Sequence, residues 1–156
     1  MGRTVGQAFV IASATVSDCR ECAWLLVQQL ANHSVDASAE QLSCVLEKTV
    51  ADAARGFVLL ARENGRIVGI AYVATILSAE HCGLVAWLEE LYVTPSHRSR
   101  GIGTALIAAI IDRARNAEIV AIDLEIDARH SRAESLYRRL GFRPLNRSRW
   151  VKELVT

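Results

Sequence analysis

The stretch Leu91-Tyr92-Val93-Thr94-Pro95-Ser96-His97-Arg98-Ser99-Arg100-Gly101-Ile102-Gly103-Thr104 carries residues suited to hold an anion. It begins as the end of a strand, turns through a short loop, and places two glycines where a helical pattern starts. The first N–H groups of a helix have no acceptor inside it, and the helix dipole favours negative charge there. Gly101 and Gly103 have no side chain to keep a phosphate off the backbone. The cradle would run from Arg98, Ser99 and Arg100 through Gly101, Ile102 and Gly103 to Thr104, with the arginines as flanking cations and Thr104 as a hydroxyl donor. A phosphate or pyrophosphate is the expected ligand.

Other phosphate loops fit less well. A Walker A loop needs four residues between its glycines and then Gly-Lys, and that run is absent. A dinucleotide fingerprint wants a third small residue where Leu106 stands, and Asp123 falls mid-strand rather than at a strand end. Cys19-Arg-Glu-Cys22 has the spacing of half a zinc site, but no second pair completes a tetrahedron. His33 and His81 follow no ligand spacing. These cysteines read as small apolar helix residues in a reducing compartment, and no metal is expected.

The elements that must position the loop follow from periodicity. Gln7–Ala14 reads as a strand, and Ser17 or Asp18 caps a helix to about Asn32. Ser38 and Gln41 form a capping box for a second helix to about Ala54. Gly56–Ala61 and Ile67–Leu77 are strands joined at Glu63-Asn64-Gly65-Arg66, because Asn-Gly accepts positive φ at both central positions. Strand Leu84–Val93, helix Gly101–Asn116, strand Ile119–Ile126, helix Ser131–Leu140 and strands Phe142–Leu145 and Arg149–Leu154 complete the order β-α-α-β-β-β-α-β-α-β-β. Gly141 suits a left-handed helix cap. The strands flanking the third helix must lie parallel, so the prediction is a mixed-sheet α/β domain with about seven strands and about four helices.

With 156 residues, one domain spanning 1–156 is expected. Hydrophobic residues make up 51%, which excludes a disordered chain. A net charge of +1 provides no global field toward nucleic acid or anionic lipid, so any anion site must be local. The apolar runs fall short of the ~20 residues of a membrane helix. The start Met1-Gly-Arg-Thr-Val does not read as a signal peptide, and the cytoplasm is the expected location.

Two motifs together carry a family resemblance. Arg98-x-x-Gly101-x-Gly103 following Glu-Leu-Tyr-Val-x-Pro resembles the acetyl-coenzyme A signature of the GNAT superfamily of N-acetyltransferases. His130-x-x-Ala133-x-x-x-Tyr137-x-x-x-Gly141-Phe142 resembles that superfamily's second hallmark, at the expected distance. The resemblance implies a splayed sheet, acetyl-CoA as co-substrate, no metal, and acetyl transfer to a primary amine by direct attack in a ternary complex. It places a general acid at Tyr137, beside the thioester sulfur, and implies that the strand end Leu91, Tyr92 and Val93 lends backbone groups to the pantetheine arm. Ala133 and His130 lie on the same arm, with His130 standing where the family commonly has asparagine.

The remaining roles follow from chemistry and pattern. An amine of pKa ~10.4 must lose a proton before it attacks, and a positioned carboxylate can take it through a water. The resemblance implies an acidic residue on this strand, so Glu89 or Glu90 is expected to serve as that base, the motif alignment slightly favouring Glu89. Strict alternation sends Glu89, Leu91 and Val93 to one face and Glu90 and Tyr92 to the other. No cysteine lies in either motif, which argues against an acetyl-cysteine route. The two amino-terminal helices and the Ser78–Gly83 loop would shape the acceptor site, and Glu40, Glu47 and Asp52 hint at a cationic acceptor such as a polyamine or aminoglycoside. A peptide amine or an amino acid stays open. Arg143, Arg147, Arg149 and Trp150 read as a solvated hairpin or homodimer edge rather than an RNA surface. The reading from a different class is a catalytically silent acyl-CoA-binding or regulatory module.

Overall fold

The computed structural model describes residues 9–127 and 131–154. The chain divides into two compact units, Met1–Glu125 and Ile126–Thr156.

The first unit is a five-stranded sheet with three helices. Its elements are β1 (Val10–Ser13), α1 (Cys19–Asn32), α2 (Ala39–Ala51), β2 (Gly56–Glu63), β3 (Arg66–Ser78), β4 (Gly83–Val93), α3 (Ile102–Asn116) and β5 (Ala121–Leu124). Spatial order follows sequence order, β1-β2-β3-β4-β5. The first three pairings are antiparallel, and β4 with β5 is parallel. Local chemistry accounts for several boundaries. The Ser38 Oγ accepts the Gln41 N–H, and the Gln41 side chain accepts the Ser38 N–H, which starts α2 as a capping box. Asn64 (φ 51°) and Gly65 (φ 79°) make the tight turn that pairs Glu63 with Arg66.

One core lies between the sheet and the α1–α2 pair. Cys22, Ala23 and Leu26 of α1 and Leu46 of α2 pack with Val58, Leu60, Ile70 and Tyr92 of the strands. Burying each leucine or isoleucine contributes roughly 1.5–3 kcal/mol. On β3, an added Cβ at Gly69 would meet Ile102 and Leu106 of α3 at 3.1 and 3.3 Å. That close approach ties the start of α3 to the sheet and fixes the loop that precedes it.

The second unit contains α4 (Ser131–Arg139). It ends in a Schellman arrangement: Gly141 sits at φ 89°, its N–H donates to the Arg138 carbonyl, and the Phe142 N–H donates to the Tyr137 carbonyl.

The expectation of about seven strands is corrected to five among the described residues. Residues 142–154 hold no strand. Pro144 supplies no N–H to a ladder, and Asn146 sits at φ 24°. Trp150, Val151 and Leu154 are 91%, 84% and 83% exposed, so no apolar burial offsets the cost of ordering a hairpin there. The terminal strand that suggested pairing with a second copy is therefore absent among the described residues. Strand β5 is also shorter than the expected Ile119–Ile126; at its start, the Ile119 N–H is taken by the Ala114 carbonyl at the end of α3.

Candidate active site

The loop from Thr94 to Gly101 is held by a small polar frame. Pro95–His97 forms a 3₁₀ turn. His97 Nδ1 lies 2.8 Å from Thr94 Oγ1 and 2.9 Å from Ser96 Oγ, while its Nε2 lies 3.0 Å from Glu63 Oε2. Arg100 donates to both Glu63 oxygens, through Nη1 at 3.1 Å and through Nη2. These bonds and the guanidinium charge hold the Glu63 carboxyl below the usual carboxylate range, and hold the Arg100 guanidinium above its own. The Asn64-Gly65 turn brings Glu63 to this position. Sequence reading missed Glu63; its placement beside the turn was the available signal.

Arg98 donates from Nε to the Val93 carbonyl at 2.9 Å and lies over the Tyr92 ring at 5.6 Å. Both arginines are exposed, but Arg100 is committed to Glu63 and Arg98 to the strand end. They brace the loop as well as lending it positive charge.

At the mouth of α3, Ser99 and Gly101 sit at φ 60° and 81°. Ala105 donates the bond to the Gly101 carbonyl at 2.9 Å, so the N–H groups of Ile102, Gly103 and Thr104 precede the helical ladder. A Cβ built at Gly101 or Gly103 meets nothing within 4 Å. The backbone is open to a ligand there, while Ile102 is buried beneath it. The residues expected to form the cradle lie around this open backbone.

Beside this mouth the two parallel strands part. The β4–β5 ladder covers only Val85–Leu88 against Ala121–Leu124. From Glu90 to Val93, β4 pairs among the described residues with β3 alone. Among the described residues, backbone groups of Leu91, Tyr92 and Val93 on that side have no strand partner, and the Val93 carbonyl accepts from Arg98. The Tyr92 side chain is not part of this edge: it is buried, and its phenol donates to Gln28 Oε1 at 3.0 Å.

The two glutamates require a correction. Val73 pairs with Leu88 and Tyr72 with Glu90, so Glu89 is an extra residue in a β-bulge. Strict alternation fails at that point. Instead of facing opposite ways, Glu89 and Glu90 both line one cavity of about 60 Å³, with Leu26 and Leu30 of α1, Leu42 and Leu46 of α2, and Tyr72 of β3. Burial first, and the Glu89 charge second, push the Glu90 carboxyl up to about 7, against a hydrogen bond from Gln29. Sequence reading missed Tyr72 and Gln29. A phenol within the apolar run Ile67–Leu77 was the one visible hint of the former.

In the second unit, Tyr137 is buried and meets the Phe142 ring edge-on at 5.5 Å and 72°. Burial raises its phenol to about 12. Ala133 lies one turn before it and is half-buried. His130 lies outside the described residues. The Ser78–Gly83 loop does not reach the cavity; His81 there pairs with Asp123 of β5 at 3.3 Å. All four cysteines are free thiols, and burial raises Cys22 to about 12, which suits an inert packing role. Among the described residues no three His, Cys, Asp or Glu gather to hold a metal, and no helix is long and apolar enough to cross a membrane.

The chain belongs to the acetyltransferase (GNAT) family, whose model matches residues 19–142. The family's co-substrate is acetyl-CoA. The mycothiol acetyltransferase of Renibacterium salmoninarum is 35% identical over 134 residues, 81% of this chain and 38% of that protein. The chain therefore spans about two-fifths of the length of that relative. A possible acetyltransferase from Clostridium difficile 630 superposes with a TM-score of 0.81 at 17% identity, covering 96% of this chain and 99% of that one. A predicted acetyltransferase from Clostridium acetobutylicum, solved with acetyl-CoA, gives 0.78 at 18% identity, covering 92% and 96%. At these identities the two structures speak to fold alone.

Proposed function

We propose that the chain is an N-acetyltransferase that moves the acetyl group of acetyl-CoA to a primary amine by direct attack in a ternary complex. The observation that carries this reading is the open backbone at Gly101 and Gly103, adjoining a stretch of β4 that has left β5. Diphosphate fits the first feature and an amide-bearing arm the second. The family model runs across both units, from 19 to 142, which supports one catalytic domain. The free thiols accord with a reducing cytoplasm.

When bound, the co-substrate supplies an acetyl thioester; the protein supplies position and proton traffic. Neutralising an alkylamine at pH 7 costs roughly 4–5 kcal/mol. Glu90, with a pKa near the working pH, is the base suited to take that proton, directly or through a water. Glu89 tunes it through like charge in the same cavity. Tyr137 is the proposed acid. With its pKa at about 12 it keeps its proton at neutral pH. Full transfer to a thiol of pKa ~8.5 would be uphill by about 5 kcal/mol, so its part is to donate a hydrogen bond from Oη to the departing sulfur. Backbone groups of Leu91 to Val93 would position the arm, and Arg98 to Thr104 the phosphates.

Free-thiol release from acetyl-CoA with a panel of amines tests the reaction, and the thermal shift with acetyl-CoA tests binding. Both signals are expected. Stabilisation without thiol release from any amine would instead mark a silent acyl-CoA-binding module. Light scattering of the purified chain tests the homodimer.

A further inference from the structure

The acceptor's chemical class is written on two adjoining cavities, and the inference rests on the amine acetylation proposed above. The first is the pocket closed by Leu26, Leu30, Leu42 and Leu46, with Glu89 and Glu90 at its β4 wall. It is apolar except for those carboxylates and the Tyr72 phenol. The second is an open groove of about 500 Å³ lined by Lys48, Thr49, Arg55 and Thr75. Val45 and Tyr72 line both, so the two spaces share a wall.

Tyr72 is the divider, and its proton is accounted for. Thr49 Oγ1 donates its only hydrogen to the Val45 carbonyl at 3.0 Å. With the Thr49 hydrogen on that carbonyl, the phenol serves as donor in the 3.1 Å contact between Thr49 Oγ1 and Tyr72 Oη, where either oxygen could donate. Tyr72 Oη keeps its lone pairs and nothing to give. Opposite Glu90 in the strand ladder, it suits a ligand that donates N–H and rejects one that presents an oxygen anion. The anion-seeking groups are on the groove side. Lys48 is exposed, and Arg55 gives its Nε to Asp52 at 3.2 Å, which leaves its terminal amino groups as donors. The acidic residues of α2 that hinted at a polycation do not wall either space. Glu47 accepts a hydrogen bond from Ser43, Asp52 pairs with Arg55, and α2 turns Leu42, Val45 and Leu46 to the pocket.

We infer that the acceptor is a zwitterionic amine with a small aliphatic branch, of the type of an aliphatic α-amino acid. Its amine faces Glu90 and Tyr72, its branch enters the leucine-lined pocket, and its carboxylate turns to Lys48 and Arg55. A pocket of about 60 Å³ accommodates a few carbons rather than an aromatic ring system. A polyamine would place a second ammonium against Lys48 and Arg55, and like charges at close range are unfavourable.

The test is thiol release from acetyl-CoA with leucine, 3-methylbutylamine and spermidine, in the full chain and in a Lys48→Ala/Arg55→Ala variant. The two leucine-like amines share a branch and differ in the carboxylate. Comparing each across the two proteins cancels their different amine pKa values. The variant should raise KM for leucine by about tenfold or more and move KM for 3-methylbutylamine less than about twofold. Equal effects on both, or no effect on either, overturn the inference. Turnover of spermidine but not leucine overturns it too, while acetyl transfer itself stands. Failure of every amine, with acetyl-CoA still stabilising the chain, removes both this inference and the catalytic reading.

Discussion

Tyr72 on β3 and Glu90 on β4 stand directly opposite one another, one step past the extra residue Glu89. The bulge bends β4 and brings a second carboxylate into the cavity that Glu90 lines. Much of the chemistry proposed for this chain follows from that single irregularity in the ladder.

Glu90→Gln is expected to lower kcat/KM by about 10²-fold or more, as loss of a positioned base does. The intact chain should show an acidic limb in kcat/KM with a midpoint of about 7. Glu89→Gln should move that limb to lower pH, because removing a like charge makes Glu90 easier to ionise. pH–rate profiles of the three proteins decide this. An unmoved limb in Glu89→Gln would refute the coupling.

The same carboxyl should destabilise the fold at high pH. Its folded pKa is raised, so between the unfolded value of 4.5 and about 7 the native state holds a proton the unfolded chain has lost. Stability therefore falls as pH rises through that window. Glu90→Gln should raise the melting temperature at pH 8, corresponding to about 2 kcal/mol after allowance for partial exposure, and change little at pH 4. Melting curves at the two pH values test the sign.

Gly103→Ala separates binding from folding. The added Cβ meets no protein atom and lies in a helix, where alanine is favoured over glycine by up to about 1 kcal/mol. The melting temperature should hold or rise while acetyl-CoA affinity drops, measured by calorimetric titration. Gly56→Ala is the contrast. At φ 146° its Cβ would lie 2.0 Å from the Val73 carbonyl oxygen, so that variant should lose stability.

Tyr137→Phe should reduce kcat by about 10²-fold with little change in KM for acetyl-CoA, since the ring and its edge contact with Phe142 survive. Proportionate loss in both parameters would point to a packing role for the tyrosine.

Features that depend on a few consecutive residues were legible before any coordinates. The capping box at Ser38 and Gln41, the turn at Asn64-Gly65, the open helix mouth at Gly101 and Gly103, and the Gly141 cap each answer a local demand on φ or on an orphan backbone group. Each formed where its chemistry placed it. The terminal strands did not. An alternating or apolar run needs a neighbouring strand before it becomes a ladder, and Arg149–Leu154 finds none.

The cavity proposed for the acceptor was illegible for a related reason. Its walls come from Leu26, Leu42, Tyr72 and Glu90, residues far apart in the chain whose meeting depends on how α1 and α2 pack across the sheet. Sequence alone determined the open glycine backbone at the mouth of α3, the parallel strand pair beside it and the family, because those are set by motif and element order. Tertiary structure decided which glutamate is raised toward neutrality, since burial and the nearness of a second carboxylate are properties of packing and of a one-residue slip in register.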